Sequence, residues 1–379
     1  MALRLLAGLA IMGAACPLAA APEVAHKDTM LVYIGTQADA IWLARLDRRQ
    51  GRLSIVGQAA PVARPTWLTV DADSHWLFSV SETGTDGFEQ GGVVSYAINP
   101  ADGALTRLSR VTSGGSGPTY LAYAKRQKTL LVGNFWGGEV TSFPVRGDGR
   151  LWPYASLMRD TGKGAVPKQS MPHAHATVLD PTGHFVLVPD MGVDRVFIYR
   201  LAPKTHQLQA SQPAFATTPP GTGPRHGVFS RDGRFFYLLT ELSAEMRSYR
   251  WDAKRGRLTA MQALPLDPAG TPVSQKSAAE IALGKDGRFL YASNRIRSTI
   301  VTYALNQRTG LARQIGEVPT GGSRPRSFAI DPSGQWMIVG NQESQTISLF
   351  RIDQVSGALQ RTGEPVPLPT KPVAFAFYP

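Results

Sequence analysis

Two histidines stand two residues apart, His173 and His175 in the stretch MPHAHATVLDPTG, just ahead of an apolar run and a turn. Imidazole titrates near neutrality, so it can take a proton from water or bind a metal. His-x-His on a strand turns both rings to one side, but no third histidine or cysteine ligand lies nearby, and no metal or cofactor is expected. The glycine-bearing turns GTGPRHG and GGSRPRS carry no Walker lysine, no G-x-G-x-x-G follows a strand, and no G-x-S-x-G elbow occurs. The only cysteine is Cys16, near the N-terminus, so neither a structural disulfide nor a thiolate nucleophile is available. Arginines, carboxylates and histidines remain, groups that stabilise developing negative charge and move protons. Whether they meet depends on the elements that carry them.

Those elements repeat. Aligned on a turn glycine, the chain reads GHFVLVPDMGVDRVFIYRL from Gly183, GRFFYLLTELSAEMRSYRW from Gly233, GRFLYASNRIRSTIVTYAL from Gly287 and GQWMIVGNQESQTISLFRI from Gly334. Weaker copies start at Gln127 and Ser74, and a half-copy starts at Met30. The period is about fifty residues, with two β-rich apolar runs per copy, a strand before them and a weaker one after. Four strands per unit predict the blade of a β-propeller. The fold class is therefore all-β: seven four-stranded antiparallel blades over residues 30–379. The split seventh blade is closed by pairing of the strand from Met30 with the C-terminal KPVAFAFYP, which removes the exposed edges.

The repeat lets equivalent positions be compared. Eight residues before the turn glycine, at the start of each innermost strand, stand Thr66, Thr119, His175, Arg225, Ala279 and Arg326, with Val373 in the closing blade. Eight after it stand Gln37, Glu82, Phe135, Met191, Glu241, Arg295 and Gln342, preceded by residues that include Asn134, Asp190 and Asn341. Antiparallel neighbours bring both columns to one face of the ring, beside the central channel. Small or apolar residues would serve a purely structural role there, as Ala279 does. Instead His175, Arg225, Glu241 and Arg295 gather in successive blades, with Glu280 one residue past its column, and such departures from a repeat mark function. His226 is expected to point into its blade by strand alternation.

The N-terminus MALRLLAGLAIMGAACPLAAAPEVAHK has an early Arg4, an apolar run and small residues at Ala19 to Ala21. It predicts a signal peptide over 1–21, a short linker over 22–29 and a periplasmic protein with no membrane span. Gly13 argues against a lipoprotein built on Cys16. The net charge of +12 is dispersed, without basic runs or a nucleic-acid motif, so nucleic acid is not an expected partner. The charge suits solubility and an attraction for anionic substrates. The sequence is silent on oligomeric state.

The segments PHAHATVLDPTGHFVLVPDMGVDRVFIYR, GPRHGVFSRDGRFFYLLTELS, SAAEIALGKDGRFLYASNR and RPRSFAIDPSGQWMIVGNQES resemble the lactonase family of seven-bladed propellers, which includes phosphogluconolactonases and a carboxy-muconate cyclase. The resemblance covers essentially residues 30–379. It implies an active site of one histidine, two arginines and a glutamate, here His175 (or His173), Arg225, Glu241 and Arg295. The implied substrate is a small sugar lactone. The leader departs from cytosolic members and shifts the expectation from a phosphorylated lactone to a free aldonolactone such as glucono-lactone. Glu241 or His175 would act as base. His173, Arg326, Asn134, Asn341 and Glu280 would bind substrate. A muconate-type cyclase, a 6-phosphogluconolactonase and a non-catalytic binding propeller are the alternatives.

Overall fold

Runs such as FFYLLT and FLYASN are apolar or small up to their last position rather than at alternate ones, and both faces of these segments are covered. A strand sandwiched between two neighbouring sheets needs this pattern, because neither face meets water. In the computed structural model, which describes residues 28–379, these runs are the second strands of seven four-stranded antiparallel sheets. The expected signal peptide over 1–21, and all but the last two residues of the expected linker, lie outside the described residues.

We number the blades along the chain by their innermost strands: Leu68–Asp71 in blade 1, Pro118–Ala124 in blade 2, Val178–Leu179 in blade 3, Pro224–Phe229 in blade 4, Ala278–Leu283 in blade 5 and Pro325–Ile330 in blade 6. Blade 7 is composite. Its innermost strand, Pro372–Tyr378, pairs antiparallel with Thr29–Thr36, so the two ends of the described chain close the ring. Adjacent blades share apolar cores, as where Tyr237, Leu239 and Met246 of blade 4 meet Leu290, Ala292 and Tyr303 of blade 5. Blade 7 packs on both sides in the same way, through Val32 and Ile34 against Ile338 and Ile347, and through Tyr33 and Leu43 against Leu77 and Val94.

The turns that aim the second strands of blades 3 and 6 share one device, built on Asp180 and Asp331. In the turn of blade 6, Asp331 Oδ1 accepts from the backbone N–H of Gln335 at 3.0 Å and Trp336 at 2.9 Å, and Gly334 adopts φ 78°. Only glycine takes that conformation without strain. Among the described residues no helix is long and apolar enough to cross a membrane.

The innermost strands are irregular at their starts, and this decides the site. In blades 2, 4 and 6 the pairing skips from Pro118 to Tyr120, from Pro224 to His226 and from Pro325 to Ser327, and similar shifts occur in blades 5 and 7. Each is a β-bulge, which inserts an unpaired residue and breaks the strict alternation of side chains. The inserted residues Thr119, Arg225 and Arg326 belong to the column that starts each innermost strand. The bulge corrects the expectation for His226. Its ring turns into the channel and packs edge-on against Trp67 and Tyr120 of blades 1 and 2, at centroid distances of 5.2 and 5.1 Å.

Candidate active site

One mouth of the channel opens into a cavity of about 330 Å³ lined by both columns: Thr119, His175, Arg225 and Arg326 from the inner strands, Glu82, Glu241 and Arg295 from the ends of the second strands. Gln37, Arg64, Thr85, Phe135 and Trp136 complete the wall. Below it a pit of about 10 Å³, room for about one water, is floored by Trp67 and His226. Larger grooves of about 550 and 460 Å³ run between the outer strands of neighbouring blades but gather only one or two charged groups each.

Glu241 is the hub. Its Oε2 accepts from Arg225 Nε at 2.9 Å and its Oε1 lies 2.6 Å from Arg295 Nη2. Burial alone would raise its pKa, but the two guanidinium groups outweigh burial and hold it down to about 2. Arg295 is braced from behind by Ser277 Oγ, at 2.9 Å from Nε and 2.6 Å from Nη2. Arg225 is 2% exposed; its Nη1 donates to the Ala279 carbonyl, and among the described residues Nη2 has no hydrogen-bond partner. Burial pushes Arg225 down to about 10, with Arg295 and Arg326 adding repulsion against the pull of Glu241. A shift of that size leaves the guanidinium charged at neutral pH.

Four arginines thus face two carboxylates across the cavity. Arg64 donates from Nε to the Glu82 carbonyl at 3.0 Å and lies 3.6 Å from its carboxylate. Among the described residues, Arg326 is the one cavity arginine with neither a hydrogen bond nor an ion pair. Burial, then the neighbouring Arg295, lowers its pKa, opposed by Glu82 and Glu241. His175 is held well below the usual imidazole range, first by burial and then by Arg225, His226 and Arg326. It is therefore neutral, and its Nδ1 is buried without a partner. That leaves Nε2 as the nitrogen available to a ligand.

The structure gathers five of the nine expected site residues: His175, Arg225, Glu241, Arg295 and Arg326. The other four do not line the cavity. His173 stacks on Phe135 at 4.4 Å, and its Nδ1 meets the Phe135 carbonyl at 2.9 Å, so it supports the wall from behind. Asn134 and Asn341 are fully buried and turn their amides into their own hairpins, toward Thr141 at 3.4 Å and Ser348 at 2.9 Å. Glu280 sits one layer below, bound to His226 at 2.9 Å. All four side chains make contacts within the protein, and none lines the cavity where contact with substrate was expected. Arg64, Thr85 and Trp136 escaped the columns because they lie in the loops that flank them.

Among the described residues no three His, Cys, Asp or Glu side chains converge as a metal-ligand set. The arrangement supplies hydrogen-bond donors, fixed positive charge and one neutral imidazole in a half-open polar cavity. That combination stabilises an oxyanion beside a proton acceptor.

The sequence matches the family described as "Lactonase, 7-bladed beta-propeller" over residues 31–377. It is 32% identical to the 6-phosphogluconolactonase of Bacillus subtilis over 304 residues, 79% of this chain and 84% of that protein. A 6-phosphogluconolactonase of Formosa agariphila is 30% identical over 79% of this chain and 86% of its own. The periplasmic gluconolactonase PpgL of Pseudomonas aeruginosa superposes with a TM-score of 0.85 at 33% identity, covering 93% of this chain and 99% of that one. With the ring of seven blades and the polar mouth already described, these likenesses make the chain an enzyme of the seven-bladed β-propeller lactonase family.

Proposed function

We propose that this lactonase opens an unphosphorylated aldonolactone, such as glucono-lactone, to the sugar acid in the periplasm. The observation that carries the reading is the pairing of the cavity arginines. Arg225 and Arg295 are committed to Glu241 and Arg64 to Glu82, which leaves Arg326 as the unpaired cation. One such cation suits a carbonyl oxygen that gains a single negative charge. A phosphate dianion on the same substrate would call for at least one more. The signal-like leader and the likeness to a periplasmic gluconolactonase support the compartment.

In this reading Arg326 and the open Nη2 of Arg225 donate to the lactone carbonyl, and each well-placed donor lowers the barrier by about 3 kcal/mol. Neutral His175 takes a proton as water adds to the carbonyl carbon. The tetrahedral intermediate then collapses, the ring C–O bond breaks, and the imidazolium returns its proton to the departing ring oxygen. Glu241 is a poor base because both its oxygens are occupied and its pKa is near 2. It holds the two arginines in place instead. The exposed face of Trp136, on the wall formed by blade 2, suits the C–H face of the sugar ring.

The test is acid release by purified mature protein in a pH-stat, with glucono-lactone, 6-phosphoglucono-lactone and muconolactone compared. The highest kcat/KM is expected on glucono-lactone. A preference above about tenfold for the phosphorylated lactone would overturn the substrate assignment, turnover of muconolactone alone would indicate a cyclase, and no turnover would indicate a binding propeller.

A further inference from the structure

The bulge in blade 4 sets Arg225 and His226 side by side in the channel, and a chain of hydrogen bonds runs inward from them. Arg225 Nη1 carries two hydrogens; one goes to the Ala279 carbonyl and the other meets His226 Nε2 at 3.4 Å. A guanidinium offers no lone pair, so Nε2 must be the acceptor and the imidazole proton must sit on Nδ1. Nδ1 lies 2.9 Å from Glu280 Oε1 and therefore donates to it. Glu280 also accepts from the Ile281 N–H at 3.1 Å and, through Oε2, from Ser327 Oγ at 3.2 Å. The polarity of each link follows from the guanidinium outward, and the chain ties blades 4, 5 and 6 together beneath the cavity.

Both members are buried, at 4% and 6% exposure, and the His226 ring also packs edge-on against His175 at a centroid distance of 5.1 Å. Burial lowers the His226 pKa against the pull of Glu280, and Arg225 lowers it further, which agrees with a neutral ring. With Nε tied to Glu241 and both Nη1 hydrogens used, the rotation of the guanidinium is set, and Nη2 is the nitrogen left to meet a ligand.

We propose that His226 and Glu280 are a positioning pair: without touching substrate, they fix the Arg225 guanidinium so that Nη2 faces the lactone carbonyl. This rests on the assignment of Arg225 as a carbonyl donor. A ring that merely fills space would need neither nitrogen, nor a carboxylate behind it.

The comparison that tests the pair is His226→Phe against the double variant His226→Phe/Glu280→Gln, with glucono-lactone as substrate. His226→Phe keeps the ring packing but loosens the arginine and leaves Glu280 without its imidazole donor. Its kcat should fall by up to about 10²-fold with KM within about twofold, and its Tm should drop. The double variant removes the stranded charge, so Tm should recover while kcat stays low. Recovery of kcat together with Tm, or a rise in KM at unchanged kcat, would show a structural role only and overturn the proposal. The wild-type rate reports separately on the lactonase reading. Side-chain ¹⁵N NMR of the unmodified protein at neutral pH needs neither turnover nor a folded variant. It should show His226 protonated at Nδ1 alone, and the Nε2–H tautomer or an imidazolium would equally sink the pair.

Discussion

Glu82 and Glu241 occupy the same place in blades 1 and 4, at the end of the second strand on the cavity wall. Their surroundings differ. Glu241 has Arg225 on the bulge of its own blade and Arg295 at the matching position of the next, at 2.9 and 2.6 Å. Glu82 has Thr66 and Phe135 at the corresponding positions; among the described residues its one ion pair is with Arg64, at 3.6 Å, and its Oε2 is buried and unpartnered. A carboxylate bound closely by two guanidinium groups is an electrostatic hub; one with a single, longer ion pair is held more loosely. What the side chain does is set by the neighbouring blades and not by the repeat position.

That contrast can be broken most severely at the arginine that Glu241 holds. Arg225→Ala should lower kcat by about 10²- to 10³-fold with folding intact by circular dichroism, because it removes the proposed donor to the oxyanion. Glu241→Gln comes next, at about 10²-fold in kcat and a loss of about 3 kcal/mol in unfolding free energy measured in urea, since it leaves two buried guanidinium groups to repel each other. Wild-type turnover in either variant would remove the site assignment.

Two pH measurements sharpen the contrast. The Glu241 carboxyl falls from its ordinary value of 4.5 to about 2 in the fold, so the folded chain binds that proton more weakly than the unfolded one. The stability it contributes is complete above about pH 4.5 and is lost as pH falls through that value toward 2. Urea unfolding across this window should show a steeper loss in the wild type than in Glu241→Gln. For catalysis, the depressed His175 should place the acid limb of kcat/KM below the ordinary imidazole value of about 6.5. An acid limb at or above that value would exclude His175 as the base. The smallest effect belongs to Glu82→Gln, expected to change kcat by less than about threefold and stability by less than about 1 kcal/mol.

Much of this was legible in the chain. Second strands such as FFYLLT, apolar on both faces, and turn glycines about fifty residues apart leave few architectures other than stacked blades. Counting from those glycines also led to His175, Arg225, Glu241, Arg295 and Arg326, because a repeat carries each numbered position to the same place in space. The positions of His226, Asn134 and Glu280 were not legible in the same way. Alternation assigns His226 to the blade interior, but the bulge at Arg225 turns both residues into the channel. Asn134 turns inward because Thr141 lies within reach across its hairpin, a matter of local backbone geometry that spacing does not encode.

The order of residues alone determined the ring, its closure by the two ends of the propeller and the blade that carries each charge, since periodic burial admits few alternatives. Only the tertiary structure decided which charges pair, which arginine is left over and which histidine stays neutral. Those outcomes depend on separations of a few ångströms between side chains of different blades and on how much water each has lost, and electrostatic energies change steeply over that range.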